Sequence, residues 1–249
     1  MTMSKKIIAL AIIISILLII YAAYTNRKKI RNNNQILITI SLLDLKKERS
    51  LTEKTAQRYF QDSALNIFTL KYIEIINDKF KNITKPDELL VAVHTYLLSQ
   101  HSENVADKLF RIYSQHHYYL ISVNNFKRKS VKQSGSLEFL NKLQNNRRKF
   151  FGYHTADILF AIHLKKQRYE ILENEIVSNS TVSGNEKVIK LKNLGERFWN
   201  YKNFSFFDIK GKPKKMLIEK IFIYEFRNHK DIEKQKRISE EIQKISSEK

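Results

Sequence analysis

A chain of 249 residues that is 43% hydrophobic carries enough apolar side chain for one large domain or two small ones. Two prolines and five glycines argue against a turn-rich β architecture, and the lack of cysteine excludes disulfides and thiolate metal sites. A net charge of +20, from 45 basic and 25 acidic residues, points to an anionic partner: nucleic acid, lipid headgroups or an acidic protein.

Ile7 to Tyr24 is an uncharged apolar run of 18 residues, close to the ~20 that a membrane-spanning helix needs. It exceeds the roughly 7–15 residues of a signal-peptide core, and cleavage after Ala23 would leave bulky Tyr21 at the −3 position. Residues 1–25 therefore read as an uncleaved membrane anchor, followed by a short linker and lead-in over 26–49. Lys5 and Lys6 precede the run, whereas Arg27, Lys28, Lys29 and Arg31 follow it. Charge alone thus favours a cytoplasmic body.

Ile36–Leu45 is β-branched and apolar, as a short strand or a buried extended lead-in would be. Ser50 with Glu53 has the spacing of a capping box. Leu65, Phe68, Tyr72, Ile75, Ile76 and Phe80 then recur at helical steps, with one break expected near Thr69. Pro86 suits the first turn of a helix ending near Ser99, and Ser102 suits the cap of the next. That next helix places Val105, Leu109, Ile112, His116 and Tyr119 on one side. Residues 50–125 thus form a small helical minidomain, and Phe126–Ser136 reads as a basic hinge. Beyond it, Leu137–Phe151 reads as a helix. A second helix follows with Phe151, Ile158, Ile162, Tyr169, Leu172 and Ile176 in one stripe. Ser183 with Glu186 opens another, to about Phe198. The stretch from Asn200 to Lys215 has no helical period, Met216–His229 reads as a last apolar helix, and the tail from Lys230 is expected to fray. The fold class is all-α.

Catalytic motifs are missing from the sequence: there is no G-x-S-x-G, no H-E-x-x-H and no phosphate-binding glycine loop, since Lys210–Pro213 lacks a partner glycine. Adjacent His116 and His117 point about 100° apart on a helix and cannot share a metal. Glu170, Glu173 and Glu175 lie among cations and read as a solvated charged face. No enzyme activity, metal or cofactor is expected. The basic, aromatic stretches Asn146–Tyr153 and Asn200–Lys215 combine cations with rings as single-strand nucleic-acid sites do, although the same rings could pack into a core.

One pattern is more informative. Arg147, Phe151, Gly152, Ala156, Leu159, Phe160, Arg168 and Tyr169 spell R-x-x-x-F-G-x-x-x-A-x-x-L-F-x7-R-Y. This resembles the lipase chaperones, or lipase-specific foldases, of Gram-negative bacteria, whose extended helical domain carries an F-G-x-E-x-A-x-x-L-F segment and a later R-Y. Ser183–Phe198 is similar to the family's next helix. Upstream, Arg58, Asp62 and Leu65 keep the spacing of the family's first-minidomain motif, R-x-x-F-D-[FY]-x-[LI]-[SA]. Gln61, Ser63 and Asn66 depart from it, and Thr69 and Leu70 stand where the family has Gly-Glu. The likeness spans about Ser50 to Phe198. Over 126–200 it implies an extended helical arm, and 201–249 then stands where the family has its second minidomain. A glycine at 152 would let a neighbouring helix or a bound partner approach the backbone closely.

The function that the resemblance implies is steric: an inner-membrane protein, anchored through residues 7–24, whose periplasmic body clasps a secreted lipase and lowers a barrier to its folding without ATP. Arg58 and Asp62, four apart on one helix face, would pair with each other or orient the lipase contact. The rival reading is a membrane-anchored helical protein whose cytoplasmic body binds nucleic acid or anionic lipid.

Overall fold

The computed structural model describes residues 39–129, 135–208, 212–223, 225 and 230–247. The anchor at 7–24, the basic linker at 26–34, the middle of the hinge at 130–134 and the Lys210–Gly211 pair lie outside the described residues. Within them the chain is all-helical, with eleven α-helices and no strand. None of these helices is long and apolar enough to cross a membrane.

The first two helices correct the expected lead-in. Helix α1 (Leu42–Ser50) begins where a strand was expected, because Ser41 and Asp44 form a capping box. Ser41 Oγ accepts from the Asp44 amide at 3.2 Å, and the Ser41 amide donates to Asp44 Oδ2 at 2.9 Å. Ser50 therefore closes α1 instead of opening the next helix, its hydroxyl donating to the Lys47 carbonyl. Thr52 caps α2 (Glu53–Tyr59) with Thr55 as its reciprocal partner. Glu53 is thereby freed to accept from Lys79 Nζ at 2.9 Å and from the Tyr96 hydroxyl at 2.6 Å.

The expected break near Thr69 is wider than the periodicity suggested, running from Phe60 to Phe68 before α3 (Thr69–Lys79). Asn66 braces it: its side-chain amide donates to the Tyr59 carbonyl, and its Oδ1 accepts from the Phe68 amide, both at 2.8 Å. Thr69 Oγ1 accepts from the Asn66 amide and donates to the Ala64 carbonyl. Two departures from the family motif are thus the residues that hold this turn. Phe60 stacks on Tyr72 at 4.8 Å, which anchors the loop to α3.

Helix α4 (Pro86–Gln100) starts on its proline as expected. It packs against α5 (Glu103–Lys129), whose residues Val105, Leu109, Ile112, His116 and Tyr119 are all buried. That helix runs past residue 126 to Lys129, through the start of the expected hinge.

The second half holds the most informative correction. After α6 (Leu137–Phe151), capped by Ser136, the single long helix expected from the apolar stripe is two: α7 (Tyr153–Leu159) and α8 (Ala161–Ser178). Helix α9 (Gly184–Trp199) opens on Ser183, whose hydroxyl accepts from the Glu186 amide. Its last turns pack against a 3-10 turn at Lys202–Ser205 so closely that a Cβ on Gly195 would lie 2.6 Å from the Tyr201 carbonyl oxygen. Only glycine fits there.

The last apolar helix is short, α10 (Lys215–Ile221). The charged tail, expected to fray, instead forms α11 (Asp231–Ser247). Ile238 and Ile245 are buried with Leu191, Phe206, Ile218, Ile221 and Phe222 in one cluster. Spaced seven apart on one face, with Ile242 packed between them, these isoleucines hold an otherwise solvated helix down. Residues 40–249 belong to one unit and 1–39 to another.

Candidate functional site

The two halves of the motif, nearly ninety positions apart in sequence, meet at one groove. Asp62 and Leu65 from the Phe60–Phe68 loop and Phe151 from the end of α6 line it, with Lys108, Arg111 and Gln115 of α5 between them. Its volume is about 340 Å³. Asp62 is exposed and Leu65 half-buried, so both reach solvent from the groove. The exposed Lys108 and Arg111 give its rim a positive potential, which Asp62 partly offsets.

Behind Phe151 lies a polar-aromatic interior. Phe151 packs its ring against Tyr119 and Phe160 at centroid distances of 5.3 and 5.5 Å. Arg147, one turn earlier on α6, is only 6% exposed, and its guanidinium sits 4.2 Å from the Phe160 ring centroid. It donates to the Tyr119 hydroxyl at 3.3 Å and to Gln144 Oε1 at 3.2 Å. Burial pulls its pKa below the ordinary value. The cation is held by a ring face and two neutral acceptors. Buried Asp157 of α7 accepts from Gln144 Nε2 at 2.9 Å and from Arg148 Nε at 2.8 Å, which locks α7 onto α6. Ala156 and Leu159 are buried in the same seam.

Gly152 stands at the joint and is exposed. Its φ of 78° and ψ of 158° fall in a region open in practice only to glycine. A Cβ built there would meet nothing within 4 Å. Close approach by a neighbouring helix of the chain is therefore not the reason for this glycine. Its conformation is: residue 152 ends α6 and turns the chain so that α7 lies back on it.

His116 faces this interior from α5, near Tyr119 and Phe160. Burial lowers its pKa from 6.5 to about 4, with Arg147, His117 and His163 lowering it further and Glu74 opposing. Above pH 6.5 the ring is neutral in both folded and unfolded chain, and stability is at its full value. As pH falls from 6.5 towards 4 the unfolded chain binds the proton first, so stability should drop by on the order of 2–3 kcal/mol. Chemical denaturation at pH 7 and pH 4.5 should show that loss in the wild type, and His116→Phe should remove most of it.

The remaining motif residues lie elsewhere. Arg58 is exposed in the last turn of α2, and because that helix ends at Tyr59, Asp62 is not on its face. The expected pairing along one helix is thus corrected. Arg168 is half-buried on α8. Tyr169 is buried in a second aromatic cluster with Phe198, Trp199 and Phe204, its hydroxyl bonded to Ser205. Sequence reading missed Gln144 and Asp157, since neither belongs to an apolar stripe; Asp157 is marked only by its place between Ala156 and Ile158. Glu173 is a further correction. It is half-buried, not solvated, and burial raises its pKa. Among the described residues no group of three or more His, Asp or Glu side chains could hold a metal ion.

No protein-family model, curated protein or solved structure matches the chain.

Proposed function

We propose that the chain is a membrane-anchored steric foldase, a divergent and shortened lipase chaperone whose periplasmic body binds a secreted lipase and assists its folding without ATP. The observation that carries this reading is the groove shared by Asp62, Leu65 and Phe151, because it unites the two sequence motifs on which the resemblance rests. An apolar groove rimmed by charge is the kind of surface that a client's partly folded segment can enter. The charge of +20 would speed encounter with an acidic lipase in a salt-dependent way. In this reading α6 to α9 serve as the helical arm, with Arg147, Ala156, Leu159, Phe160 and Tyr169 holding its helices together.

The test is refolding of candidate secreted lipases, denatured and diluted with or without the full chain and with no nucleotide. Leu65→Asp and Asp62→Ala alter the groove at partly exposed positions, so both should keep the wild-type melting temperature. Each should lower the recovered lipase activity by about tenfold, the equivalent of roughly 1.4 kcal/mol of lost client contact. Recovery within twofold of wild type in both variants would remove the groove from the mechanism.

A second reading, binding of nucleic acid or anionic lipid by a cytoplasmic body, draws support from the net charge and from the cations that flank the apolar run. Against it, the rings of Phe151 and Phe206 are buried and Trp199 stacks on Phe204, so they do not form an open stacking platform.

A further inference from the structure

A second cavity, of about 650 Å³, lies between α1, α8 and the aromatic turn after α9. That volume falls within the roughly 300–1,000 Å³ of small-molecule sites. Its walls combine two chemistries. Leu42, Leu45, Trp199, Phe204 and Phe207 supply an apolar side. Lys46, Arg49, Lys166 and Lys214 supply four cations, which face the three carboxylates Glu170, Glu173 and Asp208, an excess of one positive charge.

Two buried polar atoms on this wall have no hydrogen-bond partner among the described residues. One is the indole Nε1–H of Trp199, a residue only 2% exposed; the other is Glu173 Oε1. Folded proteins rarely leave such groups unsatisfied; the indole N–H can donate to an anion's oxygen, whereas Glu173 Oε1 only accepts and offers an anion nothing. The indole is also well fixed. Phe204 stacks on it at 4.9 Å, and Lys165 Nζ lies 4.9 Å from its ring centroid while donating to the Ile40 carbonyl. A fixed apolar wall beside cations suits a molecule with an apolar body and one negatively charged end. Four cations against three carboxylates favour an anionic end, and the apolar wall favours one attached to a hydrocarbon body over a bare phosphate ion.

We propose that this cavity binds a monoanionic amphiphile, a carboxylate on an apolar chain, with its head among the four cations and its body against the aromatic wall. The site is separate from the groove of Asp62 and Leu65, and its test involves no lipase, so its failure would leave the foldase reading untouched.

Trp199 is the chain's only tryptophan, so its fluorescence reports on this cavity alone. The full chain in zwitterionic lipid vesicles is titrated with laurate below its aggregation concentration. The expected result is a saturable change in Trp199 emission that neither methyl laurate, which lacks the charge, nor dodecylammonium, which reverses it, reproduces. Arg49→Gln and Lys166→Gln, both at partly exposed positions, should each weaken laurate about tenfold and leave helicity and melting temperature unchanged. The proposal is overturned if laurate gives no saturable change, or if methyl laurate or dodecylammonium acts equally well. It is also overturned if inorganic phosphate displaces laurate at comparable concentration, for the site would then be a general anion site. Comparison of the three wild-type titrations decides the matter even if both variants fail to fold.

Discussion

Replacing Arg147 by alanine should destabilise the fold by about 4 kcal/mol, whereas Arg147→Met should cost only about 1 kcal/mol. The asymmetry follows from how the guanidinium is held. It is buried over the Phe160 ring and bonded only to neutral groups, the Tyr119 hydroxyl and Gln144 Oε1. Alanine opens a cavity between α6, α5 and α7 and strands both of those groups. Methionine refills most of the volume and removes a desolvated charge, which offsets the lost hydrogen bonds. For a chain of this length the alanine loss corresponds to a fall in melting temperature of roughly 10 °C. Thermal denaturation followed by helicity checks both values. If Arg147 serves the scaffold, Arg147→Met should also keep most of the lipase refolding activity. Equal, large losses of stability in both variants would mean that the charge itself holds the seam.

Gly152→Val should cost about 3 kcal/mol although it introduces no clash. Nothing lies within 4 Å of the added Cβ, so the whole penalty comes from forcing an L-residue to a φ of 78° with ψ near 158°. Gly195→Ala makes the opposite case, since its Cβ would meet backbone oxygen at 2.6 Å. A compensating truncation of neighbouring side chains could rescue neither. The two sites differ in the partial remedy available: at 152 the chain can relax only by tilting α7 away from α6, which breaks the Asp157–Arg148 contact. Chemical denaturation of Gly152→Val beside Asp157→Ala and the double variant should therefore show losses that do not add.

Much of the helical content was legible because amphipathic period and caps agree locally. Pro86 and Ser183 mark helix starts, and the buried face of α5 matches the spacing from Val105 to Tyr119. What escaped the sequence was of two kinds. Helices of seven residues, such as α2, α7 and α10, are too short for periodicity to separate from their neighbours. The continuous stripe from Phe151 to Ile176 hid the break at Phe160, where α7 gives way to α8. The other kind was tertiary. Two isoleucines in a tail of charges look negligible until Phe206 and Ile221 are brought against them. Likewise, nothing local says that Asp62 and Phe151 share a groove, or that Glu173 turns inward while Glu170 and Glu175 stay in water.

The foldase reading requires that the helical body meet its client outside the cytoplasm, contrary to what Arg27, Lys28, Lys29 and Arg31 suggest. A reporter that is active only in the periplasm, fused after Lys249, tests this without knowing the client. The expected result is an active fusion at normal abundance, with a cytoplasm-specific reporter silent at the same position. A stable fusion that is inactive in the periplasmic format and active in the cytoplasmic one would contradict the foldase reading outright, however closely Arg147 to Tyr169 follow the motif.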